Sequence, residues 1–391
     1  MRERTKLLLL VGAFLAAWFL PVDEPRLQRS VIEALAMLRD YAREHVLTCL
    51  LPAFFIAGAI AVFLSKSAVM RYLGPRAPKA LAYGVASVSG TLLAVCSCTV
   101  LPLFAGIYKR GAGLGPASAF LYSGPAINVL AIVLTARVLG WELGLARGIG
   151  AIVFALVIGL LMGLLFRREE GARAEATDPF AGAADAEGSG ARSGALVAAL
   201  AGVLIFAAWG RPAEPTGWAD AVHGIKWYLA GGCLLLTLWL ALRRFDAPER
   251  EAWVLETWSF VKLIAPLLFA GVLVAGLLLG RPGSEAGLVP GRWIEDSVGG
   301  NSLGANFFAS LAGALMYFAT LTEIPILQGL IGRGMGQGPA LALLLAGPAL
   351  SLPSLFVLHG VLGTRKTLAY AGLVVLLSTI AGASYGALVA A

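Results

Sequence analysis

The stretch TVLPLFAGIYKRGAGLGPASAFLYSGPA, residues 99–126, returns 223 positions later as TEIPILQGLIGRGMGQGPALALLLAGPA, residues 322–349. The two align without a gap, and 14 of the 28 pairs are identical, among them Thr99/Thr322, Pro102/Pro325, Arg110/Arg333, Gly124/Gly347 and Pro125/Pro348. A composition rich in Ala and Gly raises such a count, but it does not co-register Pro, Arg and Thr. Internal repeats of this kind mark secondary transporters. In each copy a long apolar segment is interrupted by a polar, Pro-terminated stretch (Cys96 to Pro102; Thr320 to Pro325). A Gly-rich turn with Arg follows, and then a short helix broken at Ser123-Gly124-Pro125 or Ala346-Gly347-Pro348. Proline lacks a donor and crowds the preceding turn, so each Gly-Pro opens its helix and frees carbonyls. Inside a bilayer such backbone survives only where it is packed in protein or lines a cavity.

The remainder of the chain agrees with a membrane setting. Of 391 residues, 59% are hydrophobic and 14% charged, against about 25% charged in a soluble domain, and the mean hydropathy is +0.82. A soluble enzyme is excluded. Apolar segments cover about 46–65, 80–108, 114–137, 145–166, 194–210, 226–243, 257–280, 304–332, 338–362 and 367–389, several of them long enough for the roughly 20 residues that a crossing helix needs. The net charge of +7 sits in short loops between these segments, so topology accounts for it better than nucleic-acid binding. Cys49, Cys96, Cys98 and Cys233 all lie in apolar stretches, and no disulfide framework is readable.

Arg2, Arg4 and Lys6 precede an apolar run from Leu7 to Leu20 that lacks a small-residue cleavage pattern. It reads as an uncleaved first span with a cytoplasmic N-terminus, and 22–45 reads as an amphipathic interfacial helix. The Ala-, Gly- and charge-rich stretch 167–193 reads as a flexible cytoplasmic linker. The expected organisation is therefore 1–45, a first transport repeat over 46–166, the linker, a middle pair of spans over 194–256 and a second repeat over 257–391.

Charge counting decides whether 80–108 and 304–332 cross the membrane or return to their own side. If both cross, the basic residues divide 15 to 14 between the faces; if both are re-entrant hairpins they divide 18 inside to 11 outside, with Lys262 set apart within a span. Only the hairpin arrangement satisfies the positive-inside rule. The first hairpin then enters from the cytoplasm between Lys79 and Lys109, and the second from outside, ending near Arg333. The expectation is an all-α polytopic membrane protein of inverted repeats, each with a re-entrant hairpin and a Gly-Pro-broken helix, with about nine spans in all. At about 1.5 Å per residue, Thr99 and Glu323 lie roughly 15 Å from the hairpin bases, near mid-membrane.

Glu323 is the one carboxylate placed deep in a membrane segment, and its counterpart is Val100, so packing symmetry does not require it. An intramembrane acid is costly and is by default a functional group, here the candidate for proton coupling, with hydrogen bonding to a broken-helix carbonyl as the competing role. Cys96 and Cys98 flank Ser97 at the other tip, where thiolates suit soft ions and trivalent metalloids, although two Cys make no closed metal site and buried Cys is commonly an apolar filler. Asn128 and Ser351 follow the two breaks in register. With Thr99, Ser123, Gly124, Pro125, Thr320, Thr322, Gly347 and Pro348 they could line a substrate site, and helix capping is the alternative for the two leading residues. No strand or Walker lysine accompanies the Gly-rich turns, so no nucleotide site or cofactor is read.

The stretches 96–113, 123–128, 319–325 and 345–353 resemble the ArsP-type permease family, and the resemblance covers roughly 46–166 and 257–389. It implies efflux of a soft, thiol-seeking compound, a trivalent organoarsenical such as methylarsenite or a soft divalent metal ion, with Cys96 and Cys98 at the family's Cys motif. The substrate partner is then a small molecule or metalloid, in the inner (cytoplasmic) membrane. The first span and the middle pair carry few family motifs and are the candidate surfaces for a homo-oligomer. Rival readings are a channel and an intramembrane thiol oxidoreductase using Cys96 and Cys98; a membrane protease lacks its His-Glu-x-x-His helix.

Overall fold

In the computed structural model the described residues are 14, 18, 24–63, 72–74, 77–93, 97–176, 189–209, 218–281, 284, 286–289, 297–316, 323–332 and 334–390. They are helical almost throughout, with isolated bridges between Gly299–Gly300 and Met335 in place of any strand. The first helix, α1 (Pro25–Tyr41), runs through a π-helical stretch (Ala42–Leu50) into α2 (Leu51–Phe63). Next come α3 (Lys79–Leu93), α4 (Ser97–Lys109), α5 (Leu114–Ala126), α6 (Val129–Val138), α7 (Trp141–Leu165) and α8 (Arg167–Ala176). A middle pair, α9 (Ser189–Ala207) and α10 (Trp218–Arg244), packs together. The chain closes with α11 (Ala247–Leu279), α12 (Leu303–Leu315), α13 (Glu323–Gly332), α14 (Gln337–Ala346), α15 (Leu352–Leu362) and α16 (Thr364–Ala390).

Among the described residues, α7, α10, α11 and α16 are long and apolar enough to cross a membrane, and six crossings result if the bent pairs α1–α2 and α5–α6 each count as one. The bend between α5 and α6 is 46°. It falls two residues after Pro125, where the Asn128 side chain accepts from the Ala131 N–H and starts the next helix.

The 223-residue offset extends well beyond the stretch visible in sequence. Elements α3 to α7 recur in order as α12 to α16, and α1–α2 recur as the single helix α11. Pro25 and Pro248 occupy the first turns of their helices, a position where the lost donor costs nothing. Gly111 and Gly334 turn the chain at φ 101° and 102°, and Gly140 and Gly363 at 106° and 79°, values that side chains other than glycine rarely adopt. The repeat therefore begins near 24 and 247, earlier than the expected 46 and 257. Residues 25–41 also make tertiary contacts. One face of α1, with Glu33, Ala34, Met37 and Tyr41, is buried, and α1 packs along α11.

This helix pair runs antiparallel. Arg281 meets Glu33, Gly276 lies against Ala34 and Met37, and Gly58 lies against Thr257. Trp253 Nε1 donates to the Phe55 carbonyl at 2.8 Å. Thr257 is the counterpart of Ala34, so the same position of each half meets a glycine of the other. At the centre, α5 and α14 are buried along their length, and Tyr122 donates from Oη to the carbonyl of its own counterpart, Leu345, at 3.0 Å.

The two ends of each interrupted segment lie close together. The N–H of Gly113, just past α4, donates to the carbonyl of Leu73, ahead of α3, at 2.7 Å. In the second half Gly299 and Gly300, ahead of α12, bridge to Met335, just past α13. A segment that crossed a membrane once would instead hold its ends a membrane thickness apart. The first hairpin base lies at the start of α16, where Lys366 Nζ is 3.3 Å from Tyr108 Oη. The second lies near the other end of α16, where Asn301 Nδ2 donates to the Ala383 carbonyl at 3.3 Å. Helix α16 has 27 residues and is about 40 Å long, so the bases of the two segments lie near its opposite ends.

The expected linker is in part ordered structure. Its first ten residues form α8, and α9 begins at Ser189 rather than 194. Glu170 Oε2 accepts from the Leu114 N–H at 2.9 Å, and Oε1 accepts from Tyr108 Oη at 3.1 Å. Glu169 lies 3.5 Å from Lys366. Acidic groups that looked solvated thus cap α5 and tie the first hairpin base to α16, a charge-assisted arrangement at a helix N-terminus. The proposed first span lies outside the described residues except for Phe14 and Trp18, which are exposed.

Candidate functional site

Glu323 opens α13 at the inner end of the second hairpin, nine residues before Gly332, or about 14 Å from the hairpin base. Its carboxylate is not alone. Glu323 Oε1 accepts from Arg147 Nη2, and the two side chains are 1% and 0% exposed. Arg147 Nη1 donates to Thr135 Oγ1 at 2.8 Å, and Thr135 donates onward to the Ala131 carbonyl at 2.7 Å. Three elements, α6, α7 and α13, therefore converge on one charged pair. Arg147 Nε and Glu323 Oε2 have no hydrogen-bond partner among the described residues.

Arg147 is the residue that sequence reasoning missed. The charge count assigned it to the outer loops, because it lies only six residues into α7 and looks like a flanking positive charge. It is instead fully buried. The signal that could have found it is the repeat: the counterpart of Arg147 is Tyr370, just as that of Glu323 is Val100, and both counterparts are buried. Two charges that break the symmetry in opposite sense invite pairing, since an unpaired buried charge is far costlier than a paired one.

The other expected residues divide. Ser123 is buried and donates from Oγ to the Phe120 carbonyl at 3.2 Å and the Ala86 carbonyl of α3 at 3.5 Å. Asn128 Oδ1 accepts from the Ala131 N–H at 3.3 Å, and Ser351 forms a reciprocal capping box with Ser354. Both residues leading out of the breaks thus cap the following helix. Thr99 is buried near the start of α4. Gly124 and Pro125 end α5, while Gly347 and Pro348 follow α14. Cys96, Thr320 and Thr322 lie outside the described residues, as does the side chain of Cys98. Among the described residues no three His, Cys, Asp or Glu side chains come together to hold a metal ion.

A second charged cluster lies on the face of the second hairpin base. Arg281 Nε donates to Glu33 Oε1 at 2.8 Å, and Nη1 to Asp40 Oδ2 at 2.9 Å. These carboxylates push the Arg281 pKa further up, so this staple between α1 and the end of α11 keeps its positive charge.

The family model of the ArsP_1 predicted permeases matches residues 31–387. The chain belongs to this family. It is 42% identical to the UPF0718 protein MJ0584 of Methanocaldococcus jannaschii over 351 residues, 88% of this chain and 92% of that protein. It is 26% identical to the UPF0718 protein YraQ of Escherichia coli K12 over 337 residues, 82% and 72% of the two chains. No solved structure matches it. Family and apolar helices agree on a multi-pass membrane protein of permease type, with a small-molecule substrate and the bilayer as its surroundings.

Proposed function

We propose that the protein is a secondary-type permease that exports a soft, thiol-reactive substrate, a trivalent organoarsenical such as methylarsenite, by alternating access between inverted repeats. The observation that carries the reading is the charged pair buried at the second hairpin tip. A charged pair in a membrane interior is expensive, and side chains of this kind mark substrate and proton pathways. Two re-entrant hairpins approaching opposite ends of α16, with broken helices beside them, support a mid-membrane site of the kind found at repeat interfaces.

In this reading Cys96 and Cys98 contact the metalloid centre at the first hairpin tip. Each As–S bond formed displaces one hydroxyl, which leaves with the thiol proton as water. Glu323 takes up and releases the coupling proton. Lys79, Lys109, Lys366 and Arg365 face the cytoplasm and the N-terminus is cytoplasmic, as the positive-inside rule requires, and the membrane of this proposal is the inner one.

The test is methylarsenite uptake into everted vesicles with and without an imposed proton gradient. It compares the parent with Glu323→Gln and with the Cys96→Ser/Cys98→Ser double variant. Gradient-stimulated uptake in the parent, lost in Glu323→Gln and reduced in the thiol variant, is the expected result. Uptake no higher than in empty vesicles, from inserted protein, removes the arsenical from the proposal, and soft divalent metal ions then take its place in the assay.

A further inference from the structure

The two hairpins are built from counterpart elements but are not held alike. In the first hairpin, α4 is buried from Thr99 to Gly106 and packs against α2, α5, α15 and α11. A side chain starting at Gly106 would lie 3.1 Å from the Ala57 carbonyl oxygen of α2. In the second hairpin, α13 leans chiefly on α14 and α6, and Gln328, Gly329 and Gly332 are exposed. Gly329 is the counterpart of Gly106, yet a side chain starting there would meet nothing within 4 Å among the described residues. One hairpin is closed onto its neighbour while its twin stands away from the equivalent position.

What anchors the loosely packed hairpin at its inner end is the contact from Glu323 to Arg147. Arg147 itself belongs to α7, which is packed against α5, α14 and α16, so it is part of the fixed frame. From this asymmetry we infer that Arg147 is the positioning residue of transport: it latches the second hairpin in its unpacked arrangement. Parting the Arg147–Glu323 contact lets α13 take the closed packing that α4 has here, while α4 leaves α2 in exchange. Because the halves are related by the repeat, the two packings are alternatives of one bistable arrangement, as alternating access requires. The inference rests on the permease reading above, but not on the identity of the substrate.

The experiment reads accessibility rather than flux. Gly329→Cys, in a background with Cys49, Cys96, Cys98 and Cys233 changed to Ser, is labelled in intact cells with a membrane-impermeant maleimide. Ala105→Cys, a buried position on α4, is labelled in everted vesicles. Adding Arg147→Gln should slow labelling at 329 at least about fivefold and speed it at 105 by a similar factor. Glu323→Gln should do the same, with no further change when the two are combined. The exchange Arg147→Glu/Glu323→Arg should return both rates toward the parent. Arg147→Lys, which keeps the charge, carries the test if Arg147→Gln does not insert. Rates at 329 and 105 that ignore every Arg147 and Glu323 variant overturn the latch, even if methylarsenite is transported. A latch response without methylarsenite uptake leaves the inference standing and removes the substrate.

Discussion

Removing either member of the buried pair should destabilise the protein far more than removing both. Arg147 and Glu323 are 0% and 1% exposed, so Arg147→Gln strands a carboxylate and Glu323→Gln strands a guanidinium where water cannot reach. Breaking a buried pair from one side costs about 3–5 kcal/mol, whereas replacing both partners with neutral groups is often close to neutral. With an unfolding entropy of about 2.1 cal/mol/K per residue, the 391 residues give about 0.8 kcal/mol per degree. Each single variant should therefore lower the thermal midpoint by about 4–6 °C. The double Gln variant keeps hydrogen-bonding capacity at both positions and should recover more than half of that loss. The measurement is the fraction of detergent-purified protein still monodisperse after heating, as a function of temperature. A double variant that loses the sum of the two single effects would mean that the side chains act independently, and it would refute the pairing argument.

Counterpart glycines should respond differently to bulk. Gly106→Leu forces a side chain against the Ala57 carbonyl and should cost about 1–3 kcal/mol by overpacking, while Gly329→Leu should stay within about 0.5 kcal/mol; equal thermal midpoints for the two variants would contradict the packing described. Glu170→Gln removes the charge that caps α5 and meets Lys366, and a loss of about 1–2 kcal/mol is expected, read as a lower midpoint that Glu169→Gln, half exposed, does not reproduce. Single cysteines at 79 and 109 should be labelled from the cytoplasmic face and one at 333 from outside; labelling of 109 from outside would sink the inverted arrangement.

Much of the architecture was legible because it rests on local pattern. Hydropathy marks the segments, and the gapless match of 99–126 to 322–349 marks the repeat, whose elements recur in order in the structure. The same local logic failed where a residue's role depends on a distant partner. Residues 25–41 look interfacial because polar and apolar residues alternate, yet the face with Glu33, Ala34, Met37 and Tyr41 packs on α11, more than 200 residues away in sequence, and Ile32 and Leu35 stay exposed. The acidic stretch at 169–170 looks solvated, yet it caps a helix and meets a lysine that the chain supplies only at 366.

From the sequence alone came the membrane class, the duplicated interrupted segment and broken helix, and the isolated acid at 323, because each is carried by composition or pattern within a short window. Only the tertiary structure decided that Arg147 neutralises that acid, that Asn128 and Ser351 cap helices, and that counterpart glycines 106 and 329 sit in unlike surroundings. The two halves share their pattern, so no repeat comparison can say which of them is packed and which stands open. That choice belongs to contacts between segments far apart in the chain, where one buried charge can be accommodated only by bringing in the other.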